Sequence, residues 1–362
     1  MTDEVYRAPR VQRLLDAINL KEPDRVPNFE FFVMGRQLDH LFGARVESIL
    51  EELASLNPAC KRTEESDRSL TSWALPPHYG REFAEKCGMD VLSLPVTWFP
   101  PVREAKPGSV AHDQNGIVHE RWDLHKLGPA PDVNVVFKRV DAYLQALKGT
   151  GIGLGLHCRS VFCNTYETLG LENLMYKLYD DVPLVEEVMD LFLAYSFEVA
   201  KEVAARPIDV FFLDDDLACN SGLLASRRMI EELWVPRTRA MLEPIHRQGI
   251  PVVMHCCGNL KEVIPLAIEL GVKGIHPVQP TCNDIYRLKL LYGKQMCFFG
   301  NMDLAGVLVF GTPQEVAADT KKHIDALAPG GGYVVGSSHT ITNDVPPENF
   351  TAMIETAWSY RY

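Results

Sequence analysis

The sequence predicts an α/β chain folded as a single (β/α)8 barrel spanning residues 1–362. Eight short apolar runs recur along it, each followed by a helical pattern. The runs are bounded by Gly, Pro or polar residues, as strands buried on both faces tend to be. No GxGxxG or P-loop pattern opens any following helix, which disfavours the competing open doubly wound sheet.

The predicted strands are residues 26–31, 89–94, 153–157, 209–213, 251–255, 274–276, 297–300 and 333–336. Residues 1–25 form an N-terminal helical segment ahead of them. Apolar residues at three- and four-residue spacing predict helices over 171–179 and 184–204. Ser226 opens a helix that reaches toward Gln248, and Gly249 stops it. Thr312-Pro313-Gln314-Glu315 is a helix start, with Thr as N-cap, Pro first and Glu third. Residues 95–150 are too many for one strand–helix unit. They carry turn signals at Pro100-Pro101, Pro107-Gly108 and Asn115-Gly116. This stretch predicts a hairpin insertion after the second strand, with residues 116–122 as one of its strands.

Composition narrows the function. Against 48 Asp and Glu, the 36 Lys and Arg leave a formal charge of −12. No basic run reaches five residues, which argues against nucleic acid and against an anionic membrane surface. No apolar stretch approaches membrane-spanning length, and the N-terminus has no apolar core of signal-peptide length. The nine cysteines are odd in number and scattered. They predict thiols or metal ligands in a reducing cytoplasm rather than disulfides.

A barrel carries its chemistry at the C-terminal ends of its strands. There the sequence places Glu30, Thr97 to Phe99, His157 to Arg159, Asp214-Asp215-Asp216, His255 with Cys257, His276 with Gln279, Asn301 with Asp303, and His339. His255 and Cys257, two apart just past a strand, can point into one space, and both are good zinc ligands. Zinc wants four ligands, so the others must come from other strands. His339 is the candidate third ligand and Glu30 the candidate fourth. The plainer alternative makes the cysteines small buried residues and His255 a core histidine. Asp215 and Asp216 are candidates to orient a ligand or relay a proton. Three adjacent carboxylates cannot all point inward, and repulsion raises one pKa if two do. Phe29, Trp98, Phe162 and Tyr166 lie near early strand ends and, with Asn301, are candidate substrate-binding residues for an apolar or aromatic molecule.

Several motifs resemble the uroporphyrinogen decarboxylase superfamily, which includes cobalamin-dependent methyltransferases. They are Glu22-Pro23-Asp24-Arg25-Val26-Pro27, Leu178-Tyr179-Asp180-Asp181, Asp215-Asp216-Leu217, His255-Cys256-Cys257-Gly258-Asn259, Asn301-Met302-Asp303 and Pro346-Pro347-Glu348-Asn349. The resemblance implies a (β/α)8 barrel. The decarboxylases themselves use an aspartate after the second strand, where this chain has Thr97. They also use paired arginines after the first strand, where only Arg36 remains and Glu30 would repel a polyanion. The methyltransferase branch binds zinc through a His-x-Cys pair, matched by His255 and Cys257, and a distant Cys, whose place is taken by His339. The resemblance therefore implies a zinc-dependent transfer of a methyl group between a small substrate, such as a methoxylated aromatic, and a corrinoid on a partner protein. The alternative is a metal-free decarboxylase or lyase with His339 as proton donor.

Overall fold

A computed structural model describes residues 10–56, 70–101 and 116–360. Nine strands occur among them: β1 Val91–Pro95, β2 Gly153–Arg159, β3 Val210–Asp214, β4 Ala218–Cys219, β5 Gly222–Leu223, β6 Val252–His255, β7 Gly274–His276, β8 Cys297–Phe299 and β9 Tyr333–Val334. Seven form one sheet in the order β1-β2-β3-β6-β7-β8-β9, which is chain order, while β4 and β5 make a separate hairpin. Helices alternate with the sheet strands along the chain, the pattern of a (β/α)8 barrel.

The chain divides into two compact units. The first comprises Met1–Leu94, Val140–Gly155 and Lys273–Tyr362. Here β7, β8 and β9 run parallel, with Gly274 opposite Cys297 and Phe298 opposite Tyr333. Residues 26–31, expected as the first strand, make only the isolated parallel bridge Asn28–Val335. They still hold a strand's place. The Phe29 N–H donates to the Val335 carbonyl at 3.0 Å, and the Asp90 N–H donates to that of Asn28 at 3.4 Å. No regular ladder forms because Pro27 has no N–H to give, and the Asn28 N–H donates to the Asp90 carboxylate instead.

That carboxylate explains the Glu22–Pro27 motif. Asp90 is wholly buried and accepts from Arg13 Nη1 at 2.6 Å and Arg25 Nη2 at 3.0 Å. Arg13 also donates to Asp24. The helix Arg10–Ile18, the segment after it and the entry to β1 are thus joined through two guanidinium groups and two carboxylates.

The second unit comprises Pro95–Arg139 and Leu156–Val272. β3 pairs with β6 in parallel, and Asp214 stands opposite His255. The expected helices appear as Leu171–Asp180 and Val182–Ala204, the latter capped by the Asp181 side chain. The Ser226 hydroxyl accepts the Met229 N–H and opens the next helix. This helix passes through a π turn, Ile230–Trp234, and continues as Val235–Arg247.

The expected strand at residues 116–122 is corrected here. No strand occurs among the described residues between β1 and β2. The Ile117 and Val118 N–H groups both donate to the Thr168 carbonyl, a helix end, so neither is free for a partner strand. Glu120 and Asp123 then close a capping box that turns the chain into the 3₁₀ helix Arg121–Leu127. Pro107-Gly108 and Asn115 lie outside the described residues, as do residues 1–9 of the N-terminal segment. Among the described residues, no helix is long and apolar enough to cross a membrane.

Asp90→Ala should cost about 3–5 kcal/mol, because it leaves the buried Arg25 guanidinium without its hydrogen-bonded carboxylate and Arg13 with Asp24 alone. Asp24→Ala, whose carboxylate is half exposed, should cost about 1 kcal/mol or less. Urea unfolding of both variants checks the ranking.

Candidate active site

In the second unit the strand ends are organised by Asp215, which is fully buried. One carboxylate oxygen accepts the N–H groups of Val161 and Phe162, each at 3.1 Å, and the Trp234 indole N–H at 2.7 Å. The other accepts the Cys163 N–H. The helix Phe162–Leu169 has no cap from its own N-terminal residue, so Asp215 caps it from the end of β3. Burial pushes Asp215 up to about 7, while these donors pull the other way. With both oxygens engaged, Asp215 positions the helix and the indole.

Its neighbours diverge. Asp214 lies 3.9 Å from both His157 Nδ1 and Arg159 Nε. Burial pushes it up to about 7, with Arg159 opposing and Asp216 assisting. Asp216 accepts the Cys257 N–H at 2.7 Å and lies 3.9 Å from His255 Nε2. The three carboxylates therefore serve three different sets of partners.

His255 Nε2 and Cys257 Sγ are 3.7 Å apart. Burial holds the His255 imidazole below its ordinary pKa, which keeps it neutral and its ring nitrogens able to bind a metal. Burial, aided by Asp216, pushes the Cys257 thiol well up, so a metal binding there must displace its proton. Cys256 is turned away: its sulfur accepts the Leu217 N–H at 3.3 Å. Gly258 closes the turn at φ +85°, and a Cβ there would lie 2.7 Å from the Cys219 backbone. This turn is therefore pressed against the β4–β5 hairpin.

Three of the four aromatic candidates lie in the same unit. Trp98 is buried against Phe192, with ring centroids 4.8 Å apart. Phe162 is buried edge-on to half-buried Tyr166. The Tyr166 hydroxyl accepts the Cys163 thiol at 3.0 Å.

In the first unit, Glu30 accepts the Ser337 N–H at 2.8 Å and the Ser337 hydroxyl at 2.6 Å, one on each oxygen. Burial pushes Glu30 up to about 8. His339 is half-buried, with Nδ1 2.9 Å from the Thr340 hydroxyl. Asn301 is buried at the end of β8, and its Oδ1 has no hydrogen-bond partner among the described residues. Phe29 packs edge-on against Phe299 and His276 in the core.

Sequence reasoning passed over three residues that complete these arrangements: Asn164, Glu167 and Trp234. Asn164 and Glu167 bind Arg159, and Trp234 binds Asp215. No local motif marks them, since Trp234 reaches Asp215 through a π turn.

The alternation of strands and helices, with acids, imidazoles and a thiol at the strand ends, defines a (β/α)8-barrel protein. The chain belongs to the uroporphyrinogen decarboxylase family, whose URO-D profile matches residues 114–360. A methyltransferase from Methanosarcina mazei shares the fold, with a TM-score of 0.66 at 16% identity over 96% of this chain and 98% of that one. The methylcobamide:CoM methyltransferase MtbA of Methanosarcina acetivorans is 25% identical over 51% of this chain and 52% of its own length. A uroporphyrinogen decarboxylase of Syntrophotalea carbinolica is 24% identical over 64% of this chain and 66% of its own. The chain spans about half the length of the curated methyltransferases it matches.

Glu30 generates a pH prediction. Its folded pKa of about 8 stands above the ordinary 4.5. Below pH 4.5 the group is protonated in both states and costs nothing. As pH rises toward 8 the unfolded chain ionises first, so stability is lost across that window. Glu30→Gln keeps an acceptor for Ser337 and removes the titration. Its melting temperature should exceed the parent's by a few degrees at pH 8 and match it near pH 4.5, as thermal scans at the two pH values would read.

Proposed function

We propose that the chain is an enzyme that moves a methyl group between a small substrate and a corrinoid carried by a partner protein. In this reading His255, Cys257 and His339 hold a zinc ion. The observation that carries it is the His255–Cys257 pair. Zinc bonds of about 2.1 Å to nitrogen and about 2.3 Å to sulfur, at a tetrahedral angle, separate the two ligand atoms by about 3.6 Å. The pair stands at 3.7 Å, so these two donors fit the metal without rearrangement. The relatives named for methylcobamide chemistry support methyl transfer and a corrinoid partner.

Bound there, zinc supplies a Lewis acid to the heteroatom that carries the methyl group. The protein's own residues set up that site. Asp216 fixes the Cys257 backbone through its N–H and so aims the thiol. Asp215 holds the helix start at Phe162 beside β3. His339 is proposed as the third ligand because it stands where the family's methyltransferases carry a Cys. A neutral imidazole there leaves the site more positive than a thiolate does, which suits an ether oxygen such as that of a methoxylated aromatic. Glu30 is proposed as the fourth ligand: Ser337 places one hydrogen bond on each of its oxygens, which leaves a lone pair on each.

Purified protein should carry about one zinc per chain, and His255→Ala combined with Cys257→Ala should reduce it below about a tenth. Metal analysis measures both. A parent protein without zinc that releases carbon dioxide from substrate, with no corrinoid protein present, would sink this reading in favour of a decarboxylase with His339 as proton donor.

A further inference from the structure

Arg159, at the end of β2, has a side chain only 12% exposed. Its Nη1 donates to Asn164 Oδ1 at 3.1 Å and to Glu167 Oε2 at 2.5 Å. Phe99 covers one face of the guanidinium at 4.8 Å and is itself 42% exposed. The opposite edge is different. Nε is buried and makes no hydrogen bond among the described residues, and Nη2 makes none either. Asp214 stands 3.9 Å from Nε, within ion-pair range and beyond hydrogen-bond reach. A guanidinium is thus locked on one nitrogen and stacked on one face, while its Nε–Nη2 fork donates to no hydrogen-bond partner among the described residues.

That fork has a known complement. Its two parallel N–H groups match the two oxygens of a planar carboxylate. A buried donor without an acceptor costs free energy that an arriving acceptor recovers. The ring of Phe99 closes off approach from one face, so a ligand must come edge-on, in the plane of the fork. Glu167 and Asp214 both already stand against the guanidinium charge, which favours a monoanion over a phosphate dianion.

We infer that Arg159 is a substrate-binding residue and that the small molecule handled at these strand ends carries a carboxylate, held by Nε and Nη2. The inference rests on the proposed methyl transfer for what happens to that molecule, but its recognition is tested separately. Calorimetric titration of the full chain with acetate, benzoate and their uncharged amides compares the two classes directly. At least one acid should bind about 10- to 100-fold more tightly than its amide. Arg159→Gln should abolish that preference, and Arg159→Lys should restore it only in part, since an ammonium cannot form the fork. Arg159→Gln leaves Glu167 without its cation, so Arg159→Gln with Glu167→Gln serves as a neutral pair whose fold is checked by melting temperature. Acid and amide binding equally, neither binding at all, or a preference that survives in the double variant would each overturn the inference. Zinc is measured on the same samples. Zinc bound without a carboxylate preference defeats only this inference, and a preference without zinc defeats only the metal reading.

Discussion

Asp215 is the constraint on which the strand-end geometry of the second unit depends. A buried carboxylate is costly unless donors surround it, and here three backbone N–H groups and an indole do so. Those donors come from a helix start more than fifty residues earlier and from a π turn nineteen residues later. By satisfying them, Asp215 fixes how the chain leaves β3. Its neighbours then have no freedom of direction: Asp214 goes toward Arg159 and Asp216 toward Cys257. Removing the cap would disturb both at once.

The first unit uses buried charge in another way. Asp90 gathers Arg13 and Arg25, so the motif near the N-terminus that resembles the family does architectural work there. The same economy governs Glu30, whose two oxygens both serve Ser337. The sequence offers Glu30 as a ligand candidate and Asp215 and Asp216 as groups that orient one or relay a proton. Counting the donors around each acid shows what it already holds in place.

Much of the fold was legible. Seven of the eight apolar runs are strands with boundaries within two residues of those expected, because Gly, Pro and polar residues mark where each run stops. The first run failed at Pro27 and Asn28, where one N–H is missing and the other is drawn to Asp90. The strand expected at 116–122 failed because alternation there mimics a strand, whereas the N–H groups of Ile117 and Val118 belong to a helix end. The spacing of His255 and Cys257 was readable, since it depends only on a strand ending at His255. The open edge of Arg159 was not readable, for it depends on Asn164 and Glu167 taking the other nitrogen.

The π turn at Ile230–Trp234 is equivalent to one residue inserted into an α-helix. Each residue rotates a helix by about 100°, so the insertion changes which side chain faces β3 without altering the helix on either side. A relative lacking that residue would offer Asp215 something other than an indole, even if every flanking position were identical. Segment length at 230–234 therefore decides, as much as the identity of Trp234 does, whether Asp215 meets an indole.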